Sequence, residues 1–511
     1  MPISRRQMVQ WGVLASLGAI VAACGPNANS GSSSAGSQSQ AAAPTAASTT
    51  SQPTAAPASA AAAKPTTAAA SAAQPTVAAS QGASTPAPAA QASAGSGQAV
   101  TLPIINHDAY GPELDKLVFP PAYQIFQKQT GITVNETILP EDQNYPVKLL
   151  TMVASGSAPD AAFVHPQWVP SLAFRGALIE IDSYMKDPEV KASDLLKGAL
   201  TYYQFPQGAK TYGIPHYSGP CVTIFNRTLY KQAGIPAPDE VAKTSDGWTW
   251  QAALETAQKM TKGSGPTKQF GWDSLTSGLH FLDVLIWGFG GDLWDEAMSH
   301  CLLGDPKPLE ALQFYADFLA KYHVTPTAAE AAGVTHSKSG RMISGRIAAQ
   351  YGIKGNVPEI AAWSEKENIE MGMTAIPKGT AGRFVRNGPN SFCMIKGCKH
   401  PDESFKLINF MSLDDFQNLQ YKVGASIPPR QSQLASDAFK KSLRPWESLA
   451  VWQEAAKLDH PLREAATHLD IQNTFNPAWD LITLGQKTAK EAIPPIIPKI
   501  DALLAQAKNA S

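Results

Sequence analysis

The chain has 511 residues, with 41 basic against 42 acidic side chains and a net charge of −1. That balance gives no electrostatic case for nucleic acid or for a basic membrane-binding face. The length exceeds what one hydrophobic core holds, so two or more lobes are expected once non-globular segments are set aside.

Residues 1–24 read as an export signal: Arg5 and Arg6 form the charged start, an uncharged stretch runs from Gln7 to Ala23, and small residues precede Cys24. The segment is too short and too weakly apolar for a durable spanning helix. Ser4-Arg5-Arg6-Gln7-Met8 resembles a twin-arginine export signal and Val21-Ala22-Ala23-Cys24 resembles a lipobox, which implies acylation of Cys24 and a lipid anchor on the outer face of the cell membrane. Residues 25–100 are almost entirely Ala, Ser, Pro, Thr, Gln and Gly, with Lys64 the only charge. Such a segment cannot bury enough apolar surface to offset ordering entropy and is expected to stay disordered. At roughly 75 residues it reaches about 45 to 50 Å, which suits a tether.

Strand and helix signals then alternate, which predicts α/β layering. Phe119, Tyr123 and Phe126 recur at helical spacing, and Ile132, Val134 and Ile138 fall on one face of an alternating run. A second helix is predicted over Val147, Leu150 and Ala154, ending at Gly156. The apolar strand Ala161 to Val164 leads into a helix from about Gln167 to Arg175, closed by Gly176. The loop between them holds His165, Gln167 and Trp168, at the carboxyl end of a strand where open α/β sheets place ligands. Further on come a strand from Val222 to Phe225, a helix from Arg227 to Ala233 stopped by Gly234, a long helix from about Thr249 to Lys262, and an amphipathic helix over Leu309, Leu312, Tyr315, Leu319 and Tyr322. Cys221, Cys301, Cys393 and Cys398 are too few for a disulfide framework and none form a Cys-x-x-Cys pair; a Cys393–Cys398 bridge is one option, small buried apolar cysteines the better one.

From about Thr101 to Gln506 the order of short motifs resembles the extracellular solute-binding proteins of ATP-driven importers, in the sugar-type cluster of maltose-binding-protein-like members. The motifs are Phe126-x-x-x-Thr130-Gly131-Ile132-x-Val134, Lys148-Leu149-Leu150, Ala154-Ser155-Gly156-x-x-Pro159-Asp160 and Arg175-Gly176-Ala177-Leu178. Tyr212-Gly213-Ile214-Pro215, Phe225-Asn226-Arg227, Trp248-Thr249-Trp250, Ser339-Gly340-Arg341-Met342, Ala375-Ile376-Pro377-Lys378-Gly379 and Lys399-His400-Pro401 follow. The resemblance implies a two-lobed type II periplasmic-binding-protein-like fold whose lobes close on a ligand about crossover hinges. By analogy lobe 1 comprises 101–216 plus 387–430 and lobe 2 comprises 217–386 plus 431–506, with crossovers near His216, Asn387 and Arg430. It also implies a monomer that delivers a small solute to the permease of an importer, without a cofactor or metal.

Sugars present flat apolar faces and a rim of hydroxyls, so their sites combine aromatic platforms with polar side chains. On the family pattern His107, Asp108 and Tyr110 follow the first strand in a loop that reaches the cleft, and His165, Gln167 and Trp168 occupy a second such loop. Tyr217 and Ser218 sit at the first crossover; Trp287 and Trp294 flank a Gly-rich stretch; Tyr351 and Gly352 follow the second Gly-rich loop; Asn390 borders the second crossover; and Trp479 follows Asn476-Pro477. Asp160 is read instead as a turn residue that bonds backbone. Three rivals remain open: an enzyme, for which no catalytic motif is present; the same fold with a polyamine, peptide, amino acid or metal as cargo; and a ligand sensor.

Overall fold

The computed structural model describes residues 99–509 except 108–111, 140–144, 246, 274–278, 280–281, 332–339 and 461–462. The export signal with Cys24, nearly all of the tether, and Asp108 and Tyr110 lie outside the described residues.

Eight strands are present among the described residues: β1 Thr101–Asn106, β2 Thr133–Ile138, β3 Ala161–Val164, β4 Val222–Asn226, β5 Phe270–Asp273, β6 Ile347–Gly352, β7 Met371–Thr374 and β8 Ser391–Met394. They form two sheets, ordered β2-β1-β3-β8 and β5-β6-β4-β7. β1 is parallel to β2 and β3, and β5 to β6; β8, β4 and β7 supply the antiparallel pairings. The central strands β3, β4 and β6 are buried along their whole length, as unbroken apolar runs are when both sheet faces are covered. β2 is an edge strand, and its last residue Ile138 is 56% exposed because no strand flanks it on one side.

Local chemistry sets the helix ends. Asn226 Oδ1 accepts the Leu229 amide at 3.1 Å and opens the Arg227–Ala233 helix, and Gly234 closes it at φ 66°, a left-handed conformation that favours glycine. Thr249 Oγ1 accepts the Ala252 amide at 3.0 Å to cap the Trp250–Met260 helix. The helix read over Gln167–Arg175 is a 3₁₀ turn, Pro166–Trp168, running into Val169–Phe174. All four described cysteines are free and Cys221, Cys301 and Cys393 are buried, so no Cys393–Cys398 bridge forms. No helix among the described residues is long and apolar enough to cross a membrane.

One face of the first sheet, with Leu102, Ile104, Phe163 and Phe392, packs on Phe119, Phe126, Leu407 and Phe416. The other face, with Ile105, Val164 and Cys393, is continuous through Tyr203 and Cys221 with the core of the second lobe. Two extended segments join the lobes side by side: His216 N bonds Asn390 O at 2.9 Å, Cys221 N bonds Arg386 O at 3.2 Å, and Tyr217 bridges Asn390. Residues 425–430 lie beside them, with Ser218 N on Ile427 O at 2.8 Å.

Near Arg430 the chain is tied to elements that precede and follow β8 of the first sheet. The Arg430 guanidinium is buried on the first lobe, bonded to Ser412 O, Ser412 Oγ and Lys191 O, and Ser432 Oγ bonds Asp194. Phe439 still packs on Tyr421. Glu447 meets Lys354 and Ser448 N meets Met373 Sδ on the second lobe. Capping the carboxyl end of the Pro401–Met411 helix is what keeps Arg430 and the two short helices after it on the first lobe.

Candidate functional site

The parallel strands of both sheets end at the crossovers: Val164 pairs with Ser391, and Gly352 with Val222. In open α/β sheets such carboxyl ends are where ligands sit. Three groups of residues of the second lobe converge there: Asp283 at the start of the Leu282–Gly288 helix, Arg386 and Asn387 of the second crossover, and Asp459 and Glu464 ahead of the His468–Thr483 helix.

Arg386 lies 3.6 Å from Asp283 Oδ2 and 3.7 Å from Glu464 Oε1, and His468 Nδ1 is 2.6 Å from Glu464 Oε2. Asn387 is a clip: its Oδ1 accepts the Gly219 amide at 2.6 Å, and its Nδ2 donates to Ser218 Oγ at 2.9 Å and Asp459 Oδ2 at 3.0 Å. Asp283 Oδ2, Glu464 Oε1 and Asp459 Oδ1 are covered and receive no hydrogen bond. Leaving such acceptors unmet costs about 1–3 kcal/mol each, more for charged groups. Burial lifts the Asp283 carboxyl to about 6 against the pull of Arg386, and lifts Asp459 to about 7 against the hydrogen bonds from Asn387. Burial also opposes the charge on Glu464, but His468 and Arg386 outweigh it and hold that pKa below the ordinary value.

An aromatic wall adjoins these carboxylates. Trp287 packs on His460 with ring centroids 4.3 Å apart, and its Nε1 donates to Asp292 Oδ1 at 3.1 Å. Across the gap, a pocket of about 90 Å³ is lined by Pro166, Tyr202 and Phe205 of the first lobe and Met298, Arg463 and Glu464 of the second. The lobes approach closely nearby: a Cβ on Gly198 would stand 2.2 Å from Asp459 Oδ2.

The structure scatters the sequence-derived candidates. His107 is buried, its ring 3.8 Å from Phe163 and 5.2 Å from that of His165. Trp168 stacks on Tyr145 at 5.0 Å with His165 edge-on, and Gln167 beside it is half-buried. Ser218 is held by Asn387, and Tyr217 is buried between the crossovers with its ring against Gly219. Asn390 is half-buried in the second crossover. Tyr351 is buried beside Cys221, and a side chain on Gly352 would strike Ile224, so that glycine serves strand packing. Trp294 donates Nε1 to Arg463 O at 3.0 Å behind the wall that Trp287 faces. Trp479 stacks on Phe475 within the His468–Thr483 helix, about 16 Å along that helix from His468, and is buried. Asp160 holds the Lys399 amide at 2.6 Å and His400 at 2.8 Å, the structural role its turn position predicts.

Arg386, Asp283, Asp459 and Glu464 were not legible in sequence. The run Asp459-His-Pro-Leu-Arg-Glu464 reads as a solvated loop, and only the position of Arg386 beside the second crossover could have drawn notice.

The family model for bacterial extracellular solute-binding proteins matches residues 122–444, more than half of the chain. The chain belongs to that family. This solute-binding protein therefore acts outside the cytoplasm and binds its target without transforming it. Binding proteins of Brucella abortus and Brucella suis are 25% identical over 299 residues, 56% of this chain and 66% of theirs, so the match spans just under two thirds of those relatives. Among solved structures, an ABC substrate-binding protein of Listeria monocytogenes in complex with cycloalternan matches at TM-score 0.69 and 20% identity, over 80% of this chain and 100% of that one. An ABC transporter solute-binding protein of Thermotoga lettingae bound with α-D-tagatose matches at 0.66 and 23% identity, over 79% and 100%. The sugar-binding protein of Xanthomonas citri matches at 0.65 and 17%, over 80% and 98%. These likenesses establish the two-lobed α/β fold of the solute-binding protein.

Proposed function

We propose that this protein captures a sugar or related polyol in the cleft between its lobes and hands it to the permease of an ABC importer, held at the membrane by lipid on Cys24 and the tether that follows. The supporting observation is the group of buried carboxylates of Asp283, Glu464 and Asp459, the first two paired with Arg386 at 3.6 and 3.7 Å, in the lobe that carries Trp287 and His460. Several convergent acceptors next to an aromatic face suit a ligand that offers many hydroxyl donors and a flat apolar side. Arg386 supplies the complementary donor. The lobes are assigned as residues 101–216 with 387–442, and 217–386 with 447–506, with closure about the paired crossovers.

The same three carboxylates against one Arg386 favour a second reading, a cationic polyol or polyamine. A thermal-shift screen of the purified protein with mono- and oligosaccharides, polyamines, amino acids and metal ions separates the two. Stabilisation by one sugar class supports the first; stabilisation by polyamines alone replaces it with the second.

A further inference from the structure

Arg463 makes more directed contacts to a single loop than the binding reading alone requires. Its NH2 donates to Asp292 Oδ2 at 2.7 Å and to Trp294 O at 3.1 Å, its NH1 donates to Asp295 O at 2.9 Å, and its own carbonyl accepts Trp294 Nε1 at 3.0 Å. The other oxygen of Asp292 takes Trp287 Nε1, so the guanidinium reaches the Trp287 ring through one carboxylate, while the Trp294 ring is held by the Arg463 backbone carbonyl. Beyond the wall, Asp295 ties a tight turn: Oδ1 accepts the Ser299 and His300 amides at 2.6 and 3.0 Å and Oδ2 accepts Ser299 Oγ at 2.6 Å. The tip of that turn carries Met298, which lines the inter-lobe pocket opposite Phe205 and Pro206 of the first lobe.

We propose that Arg463 is a positioning residue for solute capture: it splints the segment from Trp287 to His300, setting the angle of the Trp287 platform and presenting Met298 to the opposite lobe so that one end of the cleft closes. The chemistry fits the task. A planar guanidinium offers several donors in a fixed geometry, which a lysine does not reproduce. The Arg463 and Asp292 side chains are 24% and 34% exposed, so replacing either leaves no buried charge behind and the protein is expected to fold. The Met298 contact makes the splint a determinant of which solutes fit, because a wall free to tilt closes poorly on a rigid ring.

Hydrogen exchange on the purified protein tests the splint without any ligand. In Arg463→Gln, exchange at residues 293–302 is expected to rise at least tenfold while the strands of both sheets keep their protection. Unchanged exchange there, or an equal rise everywhere, overturns the proposal. Arg463→Lys is expected to recover only part of the protection; full recovery would show that charge alone suffices and would overturn the directed-splint argument.

The binding half rests on the cleft reading and is measured with α-D-tagatose and maltotetraose as probes. Where wild type binds either probe, Arg463→Gln and Met298→Ala are expected to speed its dissociation about tenfold. The Asp292→Asn/Arg463→Gln double variant is expected to lose no more than Arg463→Gln alone, as members of one unit do. Equal dissociation rates in wild type and Arg463→Gln, or additive losses in the double variant, overturn the proposal. If wild type binds neither probe, that counts against the cleft reading, and the exchange data still judge the splint.

Discussion

Two groups of buried charge in the second lobe differ in one respect. Lys354 and Glu447 are wholly buried, and every acceptor position is used: Nζ donates to both carboxylate oxygens at 2.5 and 2.7 Å, Trp452 Nε1 adds a bond at 3.0 Å and the Arg444 amide another at 2.8 Å. Around Arg386 the ion pairs are long, at 3.6 Å to Asp283 Oδ2 and 3.7 Å to Glu464 Oε1, with no short hydrogen bond to either oxygen. The first group is complete and fastens the third crossover to β6. The second is incomplete, and it sits where the strands of both lobes end.

The largest expected effect comes from breaking the complete pair. Lys354→Met leaves Glu447 charged and uncompensated, which costs about 3–5 kcal/mol, read as a lower urea midpoint. Solute affinity of the folded fraction is expected to stay the same.

Asp283→Asn should behave in the opposite sense. Removing a buried charge that is poorly bonded leaves stability unchanged or higher, while the loss of a charged acceptor weakens solute binding by about 1.5–3 kcal/mol. A drop in stability comparable to that of Lys354→Met would erase the distinction between the two groups.

The third effect is on pH. Asp459 is raised to about 7 by burial, so between pH 4 and 7 the native state holds a proton the unfolded chain has lost. Stability of the unliganded protein from this group is therefore fully present below about pH 4 and lost as pH rises through about 7, by on the order of 4 kcal/mol. Melting curves of Asp459→Asn should lack that slope.

The smallest expected effect separates core from wall. Trp479→Phe should lower stability by about 1 kcal/mol without touching affinity, whereas Trp287→Phe should do the reverse in a calorimetric titration.

These contrasts also explain what could be read from the chain. Periodicity and local caps revealed the strands and helices, because Asn226, Thr249, Gly176 and Gly234 act on their own neighbours. The Arg430 side chain reaches back to Ser412 and Lys191, a tertiary contact that leaves no local signature. The carboxylates of the site were missed for the same reason: Asp283, Arg386 and Glu464 come from three distant segments, each polar enough to pass for surface. The aromatic residues were easier to notice but ambiguous, since Trp168, Tyr351, Trp479 and Trp287 are all buried and only neighbours such as His460 against Trp287 tell them apart.

Calorimetric titration of the sugar most effective in the thermal screen into wild type and Asp283→Asn tests the central claim most directly. The account expects saturable one-site binding to wild type and at least tenfold weaker binding to Asp283→Asn, with the variant melting no lower than wild type. Equal affinity in the two proteins, or no sugar binding to wild type while a polyamine or metal ion binds, would contradict it.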